Sequence, residues 1–289
     1  MTSQGATMDN KLTTLVDAVS DFVRPGMSVY LGNFGAQLFC VGHELIRQDL
    51  SEIDAVIASG GLLMDQLLGA RVLRSATYGH CWSPVGPSPA WNFRRAAESG
   101  DSTVTLYEMS LGLIAAALTA GAWGVPFMPV PGLPGTGYAD ENWPNGRLST
   151  VSSEFGNTAI VRAITPDVAF VHVDKADVQG NGVINGPLGE VVLAAQASTT
   201  VVVVAEEIVT TEEAISEGIS IPGLLTTAVI HHAGAVAPDG VIGRYDRDVA
   251  AYEDYVSRAA TQEGFAVWMS DLLSSASSVT HNGGRDRHA

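Results

Sequence analysis

Four consecutive valines mark the most strongly buried strand that the sequence predicts. Val201–Val204 lie within the segment Thr200–Ala205, and a short run of β-branched apolar residues is typical of a core strand. Other apolar segments recur along the chain and alternate with segments of helical periodicity. Strands are predicted at 27–31, 54–58, 103–107, 167–173, 200–205 and 226–230, and helices at 12–23, 37–47, 64–68, 111–122, 188–197 and 252–273. This alternation predicts an α/β fold with a largely parallel sheet and helices on both faces.

Length and charge limit the kinds of protein that this chain can be. Its 289 residues are enough for one large domain, and we predict a domain at 10–273 with flexible tails at 1–9 and 274–289. The formal net charge is −16, and Lys11 and Lys175 are the two lysines. Proteins that track phosphate backbones need clustered basic side chains. The sequence therefore predicts neither a nucleic-acid partner nor binding to an anionic membrane surface.

The cysteines and the N-terminal residues indicate the cellular compartment in which the protein is expected. Cys40 and Cys81 have no spacing typical of a metal site, so we expect no bound metal. They are either free thiols in a reducing compartment, which we expect, or a pair that the fold brings together. Residues 1–10 have neither a basic segment nor an apolar stretch of the kind found in signal peptides. No apolar run reaches the length of a membrane span. These features predict a cytoplasmic protein.

Three glycine-containing segments are candidate turns at the ends of strands. They are Gly32-Asn33-Phe34-Gly35, Ser59-Gly60-Gly61 and the segment Gly79–Trp82, which contains His80. The carboxyl ends of strands are the ligand-binding edge of an α/β sheet, and backbone N–H groups in such turns can face an anion or a thioester oxygen. The alternative is that the glycines only permit tight turns and that His80 is a structural residue.

Two groups of carboxylates are predicted at the same edge. Glu108 directly follows the strand 103–107, and Glu206-Glu207 follow the valine strand. Adjacent residues of an extended chain point in opposite directions, so at most one of Glu206 and Glu207 can point inward. The sequence lacks a phosphate-binding loop, a dinucleotide fingerprint, a nucleophile elbow and a zinc-protease motif. A proline- and glycine-rich segment at 124–157 is predicted to be an irregular loop, either a lid or a surface covered by a partner.

Several segments together resemble the α subunits of class I coenzyme A (CoA) transferases. The stretch Gly26–Gly35 is similar to their glycine-rich signature, in which Asn33 replaces the usual second glycine. His43 stands where the family commonly has proline. Further similar segments occur in the same order, covering about residues 10–273: Pro126–Pro129, Asp177–Asn181, Val203–Val209, Ile221–Gly223 and Tyr245–Asp248.

The resemblance implies an enzyme whose site is shared between two chains. It implies the CoA-transferase fold, also called NagB/RpiA-like, and a β-subunit partner in an αβ or α2β2 assembly. In such enzymes the acyl-CoA thioester is attacked by a glutamate of the β subunit, and CoA passes to a second carboxylic acid through a glutamyl-CoA intermediate. Acyl-CoA is then a substrate, and no resident cofactor is expected. The resemblance places Gly32–Gly35 beside the acyl pocket. Gly60, Gly61 and His80 are expected at the same edge of the sheet, and we therefore predict that they also bind the substrate.

Related steroid ring-opening enzymes suggest a second activity. Their α subunits have a glutamate in the segment that contains Glu108 here, and they hydrolyse a carbon–carbon bond of a cyclic acyl-CoA. The sequence therefore leaves three alternatives open, which are a CoA transferase, a ring-opening hydrolase and a non-catalytic CoA-binding subunit.

Overall fold

A computed structural model describes residues 10–33, 36–86, 88–99, 103–131, 136–137 and 146–279. The strands within these ranges are β1 (Leu12–Thr13), β2 (Ser28–Tyr30), β3 (Gly32–Asn33), β4 (Ala36–Gln37), β5 (Ile53–Ser59), β6 (Leu73–His80), β7 (Thr105–Glu108), β8 (Phe127–Pro129), β9 (Leu148–Ser153), β10 (Gly156–Arg162), β11 (Val168–Ala176), β12 (Gly182–Val183), β13 (Thr200–Ile208) and β14 (Ala228–His231). The helices are α1 (Leu15–Phe22), α2 (Phe39–Arg47), α3 (Gly61–Gly69), α4 (Trp91–Glu98), α5 (Leu111–Ala122), α6 (Val191–Ala197), α7 (Thr211–Glu217), α8 (Val249–Ala259) and α9 (Gln262–Val279).

The central sheet has a reversal of strand order in its middle. Its order is β1-β14-β13-β11-β2-β5-β6-β7, all neighbours in this path are parallel, and β12 pairs antiparallel with β11. From β2 the chain adds β5, β6 and β7 on one side, and then crosses back to build β11, β13 and β14 on the other. The carboxyl end of β2 therefore lies at the topological switch point, where α/β sheets form a crevice for ligands.

Helices cover both faces of this sheet, as the sequence predicts. On one face the core contains Val202 and Val204 with residues of α1, α2, α3, α8 and α9. On the other face Val201 and Val203 pack with residues of α5 and α6. Burying one valine side chain stabilises the fold by roughly 1.5–3 kcal/mol. The alternating valines of β13 therefore stabilise the packing of both helical layers against the same strand.

Several predicted boundaries are wrong. Leu12, predicted to begin a helix, lies in β1, where it pairs with Val229. The strand predicted at 103–107 is Thr105–Glu108, so Glu108 is its last residue and does not follow it. The closing helix predicted at 252–273 is two helices separated by Ala260–Thr261, and the second continues past 273 to Val279.

The segment predicted as an irregular loop contributes to a small second sheet. β8, β10 and β9 form a three-stranded antiparallel sheet in that order. β9 is largely exposed and polar, whereas β10 becomes buried towards Val161. Because β9 lacks an apolar pattern, the prolines and glycines of this segment dominate the sequence pattern. The remaining residues of 124–157 include 132–135 and 138–145, which lie outside the described ranges.

Candidate active site

A β-hairpin follows β2 at the switch point. Gly32 and Asn33 of β3 pair with Gln37 and Ala36 of β4, and the Leu38 N–H donates to the Leu31 carbonyl over 3.1 Å. Gly32 has φ of +104°, and a Cβ there would lie 2.1 Å from the Ala36 carbonyl oxygen. Only glycine fits this position. The hairpin contains the predicted turn, of which Phe34 and Gly35 lie outside the described residues.

Gln37 connects this hairpin to the start of α3. Its side chain is buried, with 6% of its surface exposed, and it packs directly on Gly61. A side chain at position 61 would collide with it, because a Cβ added to Gly61 would lie 2.3 Å from Gln37 Nε2. The Gln37 carbonyl oxygen Oε1 is buried and has no hydrogen-bond partner in the part of the chain that the structure describes. A buried acceptor without a partner costs about 1–3 kcal/mol. A ligand that donates a hydrogen bond here would recover that free energy.

The predicted residues Gly60, Gly61 and His80 come together beside Gln37. The Ser59 hydroxyl and His80 Nε2 are 2.9 Å apart, and the Gly60 N–H donates to the His80 carbonyl over 2.9 Å. Next to them, the Cys81 thiol donates to the Gly61 carbonyl over 3.2 Å. The structure therefore joins the hairpin, the Ser59–Gly61 turn and the end of β6 into one cluster, which we call the switch-point cluster (Gly32, Gln37, Ser59, Gly60, Gly61 and His80).

Burial sets the protonation of the switch-point cluster. Desolvation lowers the pKa of His80 below its usual value, so the imidazole is neutral at pH 7 and has one donor and one acceptor nitrogen. Burial also raises the pKa of Cys81 well above its usual value, and this thiol stays protonated. The cluster and the adjacent Cys81 thus offer neutral hydrogen-bonding groups.

Glu108 lies one strand further along the same edge. It pairs with Tyr78 of β6, and His80 is two residues beyond Tyr78 on the same strand. Side chains two residues apart along a strand share a face, so Glu108 and His80 project from the same side of the sheet. Glu108 is exposed and lies one strand away from His80 on that side of the sheet.

Of the adjacent carboxylates Glu206 and Glu207, one points inward and the other outward, in agreement with the sequence prediction that at most one points inward. Glu207 is half exposed and contacts Arg244 over 3.4 Å, whereas Glu206 is buried. Glu206 accepts four hydrogen bonds, from His172 Nε2 (3.0 Å), the Tyr245 hydroxyl (2.7 Å), and the N–H groups of Gly234 (2.6 Å) and Ala235 (3.2 Å). These donors outweigh burial and lower the pKa of Glu206 to about 2. A carboxylate so firmly ionised is an anchor for the 234–245 segment rather than an acid or base.

The structure also bears on the predictions for the cysteines, for metal binding and for membrane spans. Cys40 and Cys81 are free thiols, and burial raises the pKa of Cys40 to about 12. Within the described ranges, no cluster of three or more histidine, cysteine, aspartate or glutamate side chains could hold a metal ion. None of the described helices is long and apolar enough to span a membrane.

Comparison with known proteins identifies the family. The sequence profile of the family described as coenzyme A transferase matches residues 12–232. The chain therefore belongs to the coenzyme A transferase family, which confirms the resemblance found in the sequence.

Two curated relatives and one crystal structure show how close this similarity is. The chain is 31% identical over 265 residues to one subunit of the 3-oxoadipate CoA-transferase of Pseudomonas knackmussii, covering 91% of this chain and 93% of the relative. It is 27% identical over 289 residues to one subunit of the glutaconate CoA-transferase of Acidaminococcus fermentans, covering 91% and 89%. The crystal structure of glutaconate coenzyme A-transferase from that organism superposes with a TM-score of 0.83 at 23% identity, covering 95% of this chain and 93% of that one. The predicted α/β fold is thereby confirmed.

Proposed function

We propose that this chain is the α subunit of a heteromeric enzyme that transfers CoA between carboxylic acids. The observation that carries the proposal is the family match over residues 12–232, together with the glycine hairpin at the switch point of the sheet. The two curated relatives are subunits of transferases named for 3-oxoadipate and glutaconate. Both compounds are dicarboxylic acids, and we therefore propose a dicarboxylate as the acyl group or the acceptor.

The proposed reaction divides its groups between two chains. The thioester carbon of the acyl-CoA is attacked by a glutamate carboxylate of the β subunit, CoA leaves as the thiolate, and an acyl-glutamyl anhydride forms. The CoA thiolate then attacks the glutamyl carbonyl, so that the first carboxylate leaves and a glutamyl-CoA thioester remains. The second carboxylic acid reverses these steps and departs as its CoA thioester. Each step exchanges one acyl bond for another and needs no external oxidant or reductant.

In this scheme the switch-point cluster binds and orients the acyl group. Backbone N–H groups of the hairpin and the neutral Ser59–His80 pair are donors for the thioester oxygen as negative charge develops on it. One such donor is typically worth about 10²–10³-fold in rate. The buried side-chain amide oxygen of Gln37 (Oε1) is an acceptor for a hydroxyl or N–H group of the substrate.

We expect the purified chain to be inactive without its partner. The nucleophile in this scheme belongs to the β subunit, because no β-type Ser-Glu-Asn-Gly sequence occurs in these 289 residues. The test is to express the chain alone and together with the β-like chain, and to assay dicarboxyl-CoA thioesters with acetate or succinate as acceptor. Transfer that appears only with both chains supports the proposal. Transfer by the isolated chain, or none by the complex with any acyl-CoA, contradicts it.

Glu108 supports a second candidate, the ring-opening hydrolase. Its place beside the switch-point cluster would let a carboxylate act as a general base on water. Glu108→Gln keeps the volume and removes the charge, so in a hydrolase it should lower the rate roughly 10²–10⁴-fold. In a transferase with its nucleophile on the β subunit, the same change should affect the rate far less.

The measurement is turnover of the two-chain complex, with hydrolysis and transfer assayed separately. Glu98→Gln is the matched control, because Glu98 is an exposed glutamate of α4 whose partner is Arg94. A large loss of hydrolysis for Glu108→Gln alone would favour the hydrolase. Equal activity of both variants in both assays would leave Glu108 with a structural role only.

A further inference from the structure

Two arginines lie opposite each other at one end of the small sheet: Arg147 directly precedes β9, and Arg162 is the last residue of β10. Leu148 of β9 pairs with Val161 of β10, and the next pair in this register is Arg147 and Arg162. The Arg162 N–H donates to the Arg147 carbonyl over 2.8 Å. Residues directly opposite in an antiparallel pair send their side chains from the same face. The two guanidinium groups therefore leave the same side of the small sheet.

Arg147 also reaches the edge strand of the central sheet. Its guanidinium carbon lies 4.5 Å from the centre of the Tyr107 ring in β7. Its Nε is buried and has no hydrogen-bond partner among the described residues. The planar guanidinium is thus held against an aromatic face while a polar atom remains unsatisfied.

The described carboxylates near this arginine pair are engaged with other partners or distant. Within the described ranges, neither Arg147 nor Arg162 forms a salt bridge, whereas Arg74 is paired with Asp54. Asp54 is the carboxylate that attracts Arg147, but it already accepts hydrogen bonds from Arg74 Nε (3.0 Å) and the Ser75 hydroxyl (2.7 Å). Burial and the positive charge of Arg162 lower the pKa of Arg147.

This arrangement is unusual for so acidic a chain. The protein has 31 acidic and 15 basic residues, so an arginine would find a carboxylate partner at many places on its surface. Like charges directly opposite on neighbouring strands are destabilising. An anion between the two guanidinium groups would remove the repulsion, satisfy the free Nε and form charge-assisted hydrogen bonds.

We propose that Arg147, Arg162 and Tyr107 form a binding site for the anionic group of a small molecule, either a phosphate or a carboxylate. The two arginines supply the charge and a fork of donors, and Tyr107 fixes the plane of one guanidinium. The site lies between the small sheet and β7, and none of its residues belongs to the switch-point cluster. It does not depend on whether the enzyme transfers CoA.

The test is titration calorimetry with the two-chain complex at low salt. The probes are inorganic phosphate, succinate, CoA and dephospho-CoA, the last of which lacks the 3′-phosphate. Arg162→Gln is the main variant, because Arg162 is exposed and its loss should not disturb the core. We expect it to weaken binding of the preferred anion by roughly tenfold or more, and Arg162→Lys to retain part of the affinity. Phosphate, CoA or succinate as the tightest probe would identify the source of the anionic group.

Arg94→Gln is the control, because it removes one exposed arginine from α4 and changes the net charge equally. Binding that Arg162→Gln weakens and Arg94→Gln leaves intact supports the site. Equal losses in both variants would show a general charge effect and overturn the proposal, as would the absence of binding by all four probes in the unaltered complex. These outcomes are measured by heat and not by turnover, so they stand apart from the success or failure of the CoA-transfer proposal.

Discussion

Gly32→Ala is expected to open the switch-point hairpin and to abolish most of the activity of the two-chain enzyme. An alanine at this position meets two obstacles. The φ of +104° is a conformation that costs a residue with a Cβ roughly 1–2 kcal/mol, and the new Cβ would lie 2.1 Å from the Ala36 carbonyl oxygen. That oxygen belongs to the backbone of β4, so relief requires the two hairpin strands to separate.

The consequence for activity follows from what the hairpin holds. Gln37 lies on β4 and packs on Gly61, and Leu38 closes the hairpin against Leu31. Separation of the strands would displace Gln37 and the backbone donors together. A displacement of about 1 Å at a reacting group can cost 10²-fold in rate, and we expect a loss of at least that size.

Gly156→Ala is the control that separates the cost of the positive φ from the cost of the steric collision. Gly156 has a φ of +107°, nearly equal to that of Gly32, but a Cβ there would have no atom within 4 Å. The control therefore carries the conformational cost without the collision. Both variants should be less stable to urea than the parent chain, and only Gly32→Ala should lose turnover. If Gly32→Ala kept the activity of the Gly156→Ala variant, the hairpin would have no part in the site.

The sequence predicts the layers of this fold because its strongest signals are local. The apolar strands β5, β11 and β13 and the Ala/Leu-rich helix α5 are recognisable from periodicity alone. Their alternation is enough to predict a parallel sheet covered on both faces. The exposed strand β9 has no comparable apolar pattern, and the pairing of β10 with β8 joins segments that are distant in sequence.

The candidate site is predicted in part for the same reason. Glycines after strands mark Gly32, Gly60 and Gly61, and strand parallelism brings them to one edge of the sheet. Gln37 has no such signal, because what distinguishes it is burial against Gly61. The partners of Glu206 are likewise distant in sequence, from His172 to Tyr245, so the sequence could predict only that at most one of the two adjacent glutamates points inward.

The Glu206 anchor should contribute far more to stability than the neighbouring Glu207. Glu206→Ala would leave the N–H groups of Gly234 and Ala235, the Tyr245 hydroxyl and His172 without their shared acceptor. Removing one partner from a buried, charge-assisted network typically costs about 3–5 kcal/mol. Its neighbour supplies the control, because the half-exposed Glu207 makes only a long contact to Arg244 and Glu207→Ala should cost no more than about 1 kcal/mol.

The pH dependence of this contribution has a definite sign. The pKa of Glu206 is lowered from a usual value of 4.5 to about 2 in the folded chain. The stabilisation is therefore fully present above about pH 4.5 and is lost as the pH falls towards 2. Glu206→Gln has no charge to lose, so its free energy of unfolding should approach that of the parent chain as the pH is lowered from 5 to 2.5. Asp54 and Asp177 also have lowered pKa values. Both residues are present in the parent chain and in Glu206→Gln, so their contributions cancel in the difference between the two free energies of unfolding.

Glu206 also connects to the switch-point cluster through the backbone. The Ala235 N–H donates to Glu206, and the Ala235 carbonyl accepts from the Cys40 N–H over 3.2 Å. Cys40 lies in the first turn of α2, directly after the hairpin. We therefore expect Glu206→Gln, measured at pH 7 in the two-chain complex, to lower kcat more than Glu207→Gln does. Urea unfolding of both variants from pH 7 to 2.5 completes the test. A stability difference between Glu206→Gln and the parent chain that stayed constant over this range would contradict the anchor.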